Sequence, residues 1–254
     1  MNNVSVSYSS PELKDTAMQF AEQHGYTCSS PGDIATPLVL NFTPEFTELR
    51  DTEKNIEVHI DFTSGNLAHR QQFGGGRGQA IAKAIGLKQG VEPPSIIDAT
   101  AGLAKDAFVL ACLGCPVILL ERSPIIVELI NNAIARAEEN EHFQTIIRTG
   151  FKVILTSSIK YLHEVVVKPD VIYLDPMYPE RKKTASVKKN MQLLQQLLGK
   201  DEDTEELLDT ALSAARKRVV VKRPKGAPPL SRLQPTYQVS SKKTRYDIYL
   251  VNNT

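Results

Sequence analysis

From about residue 95 onward, short apolar runs alternate with amphipathic stretches, and this alternation leaves few folds open to the chain. Ser95 to Ala101, Pro116 to Arg122, Thr145 to Arg148, Asp170 to Pro176 and Arg218 to Pro224 are short, rich in β-branched residues and closed by Gly, Pro or charge, which predicts strands. Ala104 to Leu113, Ile125 to Glu139, Ser158 to Val166, Val187 to Leu198 and Glu205 to Ala215 carry apolar residues at helical spacing. Strand and helix in regular succession build βαβ units, whose strands lie parallel in one sheet with helices on its faces. Tyr237 to Ser241 and Arg245 to Val251 alternate in hydropathy around a short basic turn, which predicts an antiparallel hairpin. The expected architecture is α/β: a Rossmann-like, doubly wound sheet of five parallel strands with a C-terminal antiparallel hairpin.

The first sixty residues read differently. Val4 to Tyr8, Pro37 to Phe42 and Ile56 to Phe62 are strand candidates and Pro11 to His24 is a helix candidate, so 1–60 is expected to form a small α+β lobe beside a main domain at 61–254. A length of 254 residues with 41% hydrophobic content supports one good α/β core and such a lobe. The segment DFTSGNLAHRQQFGGGRGQ, 61–79, is aperiodic and glycine-rich and reads as a loop. MNNVSVSYSS lacks a basic stretch followed by an apolar core, and no run approaches the roughly 20 apolar residues of a membrane span, so a cytoplasmic protein without a membrane partner is expected. Cys28, Cys112 and Cys115 are too few for a disulfide framework. Cys112 and Cys115 form a CxxC with no second Cys or His pair nearby, so no metal site is expected.

Ligands of open α/β sheets sit beyond the carboxyl ends of the strands. At the first such end the chain reads SIIDATAGLAKDAF, where Gly102 lets the backbone approach a ligand. A dinucleotide needs GxGxxG to cradle its pyrophosphate, whereas this loop has the single Gly102 between Ala101 and Ala104. The pattern disfavours a nicotinamide oxidoreductase and suits S-adenosylmethionine (SAM), which carries no phosphate. Nineteen residues further on, Glu121 ends the second strand, where an acid can accept hydrogen bonds from both ribose hydroxyls, and Arg122 beside it can flank the adenine. Ser157 and Ser158 follow the third strand where the adenine edge would lie, although hydroxyls at a helix start also serve as N-caps.

The fourth strand ends VIYLDPMYPERKK, and DPMY resembles the [DNS]PP[YFW] motif of amino-methyltransferases. An exocyclic base amine is a poor nucleophile because its lone pair is delocalised into the ring. The Asp175 carboxylate and the Pro176 carbonyl can accept both N–H bonds, aim the lone pair at a sulfonium methyl and offset the developing positive charge. Tyr178 offers a face on which the base can stack, an interaction worth about 1–3 kcal/mol. Met177 replaces the second proline of the commonest form, and an ordinary strand exit also favours Asp, Pro and Tyr.

Net charge is only +1, so a polyanionic partner must be argued from distribution. Arg181, Lys182, Lys183, Lys188 and Lys189 follow the motif; Arg216, Lys217, Arg218, Lys222, Arg223 and Lys225 bracket the fifth strand; Lys242, Lys243 and Arg245 occupy the last turn. Fourteen of thirty basic residues thus cluster in three segments, two of them flanking the chemical edge, which predicts a phosphate-binding surface and a nucleic-acid partner. For any single run, a solvated face is the usual explanation. Arg77 in FGGGRG can meet a phosphate or the SAM carboxylate, or the segment is simply a hinge.

Taken together, DFTSGNLAHRQQFGGGRGQ, IIDATAGLAKDAFVLACLGC, LLERSP, IYLDPMYPERKKTASVKK and KRVVVKRP resemble the small-subunit rRNA (guanine-N2)-methyltransferase family, class I SAM-dependent enzymes that act at nucleotide 1516 of 16S rRNA. The resemblance spans roughly residues 60 to 250. It implies SAM held by Lys105 and Asp106, by Glu121 and Arg122, by Ser157 and Ser158, and by Asp175, with 16S rRNA or the small ribosomal subunit as partner. The family usually reads GLGRD where this chain has GLAKD, so Ala104 stands for glycine and Lys105 for arginine, which keeps the charge and loses the planar fork. Two other readings stay open on the residues alone. DPMY suits an adenine or DNA amino-methyltransferase equally well, and the same scaffold can serve a non-catalytic RNA-binding factor.

Overall fold

The computed structural model describes residues 3–63, 76–177, 189–199 and 203–251. Its strands are β1 (Val4–Tyr8), β2 (Thr27–Cys28), β3 (Leu38–Phe42), β4 (Thr47–Asp51), β5 (Ile56–Val58), β6 (Ile96–Asp98), β7 (Val117–Glu121), β8 (Lys152–Leu155), β9 (Val171–Leu174), β10 (Arg218–Pro224), β11 (Tyr237–Ser240) and β12 (Thr244–Leu250). The helices are α1 (Lys14–His24), α2 (Ala80–Ala84), α3 (Lys105–Cys112), α4 (Pro124–Glu138), α5 (Glu141–Arg148), α6 (Ser158–Glu164), α7 (Lys189–Leu198) and α8 (Thr204–Ala214). None is long and apolar enough to cross a membrane. Contacts among the described residues fall into two units, one spanning 1–61, 123–135 and 179–200 and the other 62–122, 136–178 and 201–254.

The first unit holds a five-stranded sheet in the order β2-β1-β3-β4-β5. β1 is parallel to β2 and β3, while β3–β4 and β4–β5 are antiparallel. The expected helix at Pro11 begins as a single 3-10 turn, Pro11–Leu13, before α1, which ends where Gly25 takes a left-handed φ of 70°. Ala17 and Ala21 form the buried face of α1, and Phe20 stacks on Tyr26. Hydropathy does not point to β4, TELRD, because three of its buried side chains are polar or charged: Thr47, Glu48 and Asp51. Their cost is offset by hydrogen bonds: Asn41 Nδ2 donates to Glu48 Oε1 at 2.9 Å, and Asp51 accepts from the backbone of Glu53 and Lys54 and from Lys54 Nζ. α7 packs on β5 and buries Leu193 and Leu194.

The second unit is built on a seven-stranded sheet in the order β11-β12-β10-β9-β6-β7-β8. β6 to β10 are mutually parallel, and β12 runs antiparallel to β10 and β11. This is the Rossmann-like sheet with its terminal hairpin. The chain moves outward from β6 through β7 to β8, then returns to lay β9 on the other side of β6, so the order reverses between β6 and β9. A reversal of this kind opens a crevice beyond the strand carboxyl ends. Leu162 of α6 and Leu207, Leu208 and Ala211 of α8 join Ile97, Leu120, Ile172, Leu174, Val219 and Val221 in one apolar core. Phe62, Phe108 and Phe151 form a second cluster, with Phe62 and Phe108 stacked at 4.4 Å.

One expected strand is a helix. Thr145 to Arg148 is the last half of α5, and the third parallel strand is β8, beyond Gly150 at φ 116°. TIIR is β-branched and apolar within four residues, but the longer frame decides. Asn140 caps the helix by accepting the His142 N–H at 3.0 Å, and Phe143 and Ile147, one turn apart, are buried.

Candidate active site

Four strands deliver polar side chains to one edge of the second sheet. Asp98 ends β6, Glu121 ends β7, Ser157 and Ser158 follow β8, and Asp175 follows β9. Asp98 pairs with Tyr173 in the β6–β9 register, which sets Asp98 and Asp175 across the crevice where the strand order reverses. Thr100 ties them together. Its hydroxyl donates to Asp98 Oδ1 at 3.3 Å and accepts the Asp175 backbone N–H at 2.6 Å, while its own N–H donates to Asp98 Oδ1 at 3.0 Å.

Between Thr100 and α3 the backbone turns sharply. Gly102 lies at φ 50° and Ala104 at φ 55°, both left-handed, and the Ala104 N–H closes the turn on the Ala101 carbonyl at 2.8 Å. Glycine enters this region without strain and alanine does not. Ala104 stands where the resembling family carries glycine, and its methyl group is buried. The turn brings Asp106 into the first turn of α3, where the helix dipole favours an anion. Lys105, beside it, is exposed.

Asp106 Oδ2 accepts from the Tyr173 hydroxyl at 2.8 Å and from Lys222 Nζ at 2.6 Å, and the same ammonium donates to Asp175 Oδ2 at 2.7 Å. Two carboxylates, Asp106 and Asp175, therefore share one lysine, and Asp98 lies close enough to feel the charge of both. Burial, joined by the charges of Asp175 and Asp106, pushes the Asp98 carboxyl up to about 7 despite its Thr100 hydrogen bonds. Packing around Asp175 raises its carboxyl above the usual range while Lys222 pulls it back, and 40% of its side-chain surface stays open to solvent. Burial pulls the Lys222 ammonium down, but Asp175 and Asp106 more than offset it and hold it above the ordinary lysine range. The surplus of negative charge suits a cationic ligand.

The remaining expected residues have varied surroundings. Glu121 is buried at the end of β7, and its backbone carbonyl accepts the Thr156 N–H at 2.8 Å. Arg122 is exposed, with Nη1 at 3.7 Å from Asp203. Ser157 is the N-cap of α6 and accepts the Lys160 N–H at 3.5 Å, while Ser158 Oγ donates to the Ala99 carbonyl at 2.7 Å and so ties α6 to the end of β6. Pro176 is buried. Tyr178 lies outside the described residues, as do Arg181, Lys182, Lys183, Lys188, Phe73 to Gly75 and the side chains of Arg77 and Lys189.

The basic cluster around β10 and the hairpin serves the fold more than the surface. Arg216 and Lys217 pair with Asp170, and Arg218 Nη1 donates to the Ala84 carbonyl and the Tyr237 hydroxyl. Arg223 is buried on the Pro228 carbonyl, and Arg245 pairs with the fully buried Asp247. With Lys222 engaged as described, Lys225, Lys242 and Lys243 are the exposed cations of these two segments that carry no such bond among the described residues. Sequence runs cannot separate cations that point into a sheet from those that point out.

Reasoning from sequence missed Thr100 and Tyr173, gave no role to Asp98 beyond the acid that ends the first strand, and assigned Lys222 to a phosphate-binding surface. Lys222 becomes visible only through the sheet: in parallel register Val221 pairs with Leu174, so the next residues, Lys222 and Asp175, emerge side by side.

A family described as "Putative SAM-dependent methyltransferase" matches residues 28–251. The chain is 47% identical over 219 residues to the ribosomal RNA small subunit methyltransferase J of Erwinia tasmaniensis, covering 85% of this chain and 87% of that protein. It is 49% identical over 200 residues to the protein of the same name from Colwellia psychrerythraea, covering 79% and 72%. The crystal structure of a SAM-dependent methyltransferase from Neisseria gonorrhoeae superposes with a TM-score of 0.77 at 30% identity, covering 98% of this chain and 97% of that one.

Proposed function

Because this chain belongs to the SAM-dependent methyltransferase family that includes ribosomal RNA small subunit methyltransferase J, we propose that it methylates the exocyclic N2 amine of a guanine in 16S rRNA, at nucleotide 1516. The observation that carries the chemistry is Asp175, clamped at its backbone by Thr100 and at one carboxylate oxygen by Lys222, and open to solvent at the mouth of the crevice.

The residues at this edge fit SAM. Its ammonium and sulfonium carry positive charge, and here Asp106 and Asp175 share a single ammonium with Asp98 nearby. Asp98 and Asp106 would receive the methionine end, with Lys105 near its carboxylate and the Gly102 turn against its backbone. Glu121 would take the ribose hydroxyls, and Arg122, Ser157 and Ser158 would border the adenine. When bound, SAM supplies a methyl group on positively charged sulfur. Asp175 and the Pro176 carbonyl would accept the two N–H bonds of the guanine amine and orient its lone pair for methylation. The Asp175 carboxylate would stabilise the positive charge that grows on the amine nitrogen and receive the proton it releases. Tyr178 stacks on the base held out of its helix. With an rRNA substrate, the protein works in the cytoplasm.

The test incubates the protein and labelled SAM with small ribosomal subunits and with naked 16S rRNA, and identifies the product nucleoside by mass spectrometry. N2-methylguanosine is expected, and a methylated adenine would replace this reading with the other amino-methyltransferase. Asp175→Ala is expected to lower transfer by about 10²-fold or more while much of SAM binding persists. Wild-type turnover by that variant excludes the mechanism.

A further inference from the structure

We propose that Lys222 is the positioning residue for Asp175: shared between Asp106 and Asp175, its ammonium fixes one carboxylate oxygen of Asp175 and leaves the other to the substrate amine. This rests on the proposed role of Asp175 and adds to it a residue outside both the DPMY motif and the cofactor loop.

The geometry is set by the sheet. β9 and β10 are parallel, with Leu174 opposite Val221, so the chain leaves both strands at the same level and Lys222 meets Asp175 at 2.7 Å. On its other side the ammonium meets Asp106 at 2.6 Å, and the buried Tyr173 hydroxyl holds that same Asp106 oxygen. Asp106 is thereby a fixed anchor against which Lys222 holds Asp175. Exposure sets this lysine apart from a purely structural ion pair. In Arg245–Asp247 the side chains are 9% and 0% exposed, whereas Lys222 and Asp175 are 26% and 40% exposed and open on the crevice.

The charge arrangement explains why the ammonium is shared. Asp175 must stay ionised to accept an N–H bond, yet the packing around it and the neighbouring Asp106 favour its protonated form. A nearby ammonium opposes that. An ammonium given wholly to Asp175 would also cancel the negative charge that the developing cation needs, and dividing it between two carboxylates keeps part of that charge. Among the described residues, the other titratable groups around this pair are Asp98 from β6, Tyr173 from β9, and Arg223 and Tyr246 on the flanking strands.

Two measurements test the proposal, and the first needs no substrate. With the aspartate carboxyls labelled with ¹³C, the Asp175 signal is titrated by NMR in the protein without SAM. Lys222→Met is expected to move its midpoint to higher pH, and Lys222→Arg to keep it near the wild-type value. Asp106→Asn, which leaves the ammonium to Asp175 alone, is expected to move it lower, and this variant decides the matter if Lys222→Met does not fold. The second measurement is kcat against pH at saturating SAM. Lys222→Met is expected to lose on the order of 10- to 100-fold at pH 7, to recover part of it as pH rises, and to show an acid limb displaced upward. Equal loss at every pH, or an Asp175 midpoint that ignores both substitutions, overturns the proposal. An unmoved Asp175 midpoint beside normal wild-type transfer removes Lys222 alone, whereas absence of wild-type transfer to rRNA removes the proposed function and this inference with it.

Discussion

The hydroxyl of Thr100 accepts the backbone N–H of Asp175 at 2.6 Å, joining the end of β6 to the end of β9 across 75 positions of sequence. The same hydroxyl donates to Asp98, so one side chain sets both the turn that carries Asp175 and the acid at the neighbouring strand end. Thr100→Val keeps the shape and removes both bonds. Leaving the Asp175 N–H without its partner is expected to cost about 1–3 kcal/mol in urea unfolding. Transfer should fall further than SAM affinity, because the turn that positions Asp175 loosens; equal stability and equal kcat in the variant would show that the bond positions nothing.

Asp98 makes stability depend on pH. Its carboxyl ionises near the ordinary aspartate value of 3.8 when unfolded and at about 7 when folded. Between those values the folded state binds the extra proton, so stability falls as pH rises from about 4 to about 7 and levels off above. Asp98→Asn mimics the protonated form. The difference in unfolding free energy between Asp98→Asn and wild type should therefore grow across that window, and a difference that stays constant with pH contradicts the assignment.

Gly102 is needed for its backbone angle, not for space. A methyl group built there would meet only the Thr100 carbonyl at 3.8 Å, an ordinary van der Waals distance, but φ is 50°. Gly102→Ala is expected to cost about 1 kcal/mol by chemical denaturation, the strain of a left-handed alanine. Ala104, at φ 55°, already bears such strain two residues on. A destabilisation above about 3 kcal/mol would point to a clash that this backbone does not contain.

Lysines and arginines of the hairpin should separate into two classes. Arg245→Met removes the charged partner of the fully buried Asp247, leaving it the Gln238 amide at 2.8 Å, and is expected to destabilise by about 3–5 kcal/mol. Lys242→Ala with Lys243→Ala removes two exposed charges and is expected to leave stability nearly unchanged. If these lysines neutralise rRNA phosphates, rRNA binding weakens and the slope of its salt dependence flattens by about 0.7–0.9 for each phosphate no longer neutralised. An unchanged salt dependence would place the rRNA elsewhere.

Much of this protein can be read in one dimension. The βαβ alternation after residue 95, the hairpin and the acids closing β6, β7 and β9 depend on period and on which residues end a strand, and both are local. Thr145 to Arg148 misleads because a run of four residues with two isoleucines fits either period, and Asn140 upstream and Gly150 downstream distinguish them. β4 escapes a reading by hydropathy because its buried acids are satisfied by Asn41 and Lys54, partners that composition does not assign.

The sequence by itself determined the parallel α/β class, four of the five parallel strands with the terminal hairpin, and the presence of Asp175 and Glu121 at strand ends, because side-chain period and turn chemistry act over a few residues. Only the tertiary structure decided which charges meet. Strand order brought β6, β9 and β10 together, and register then set Lys222 between Asp106 and Asp175 and turned Arg223 and Arg245 inward. Electrostatic pairing depends on distance in space, and a parallel sheet makes neighbours of residues that the chain keeps far apart.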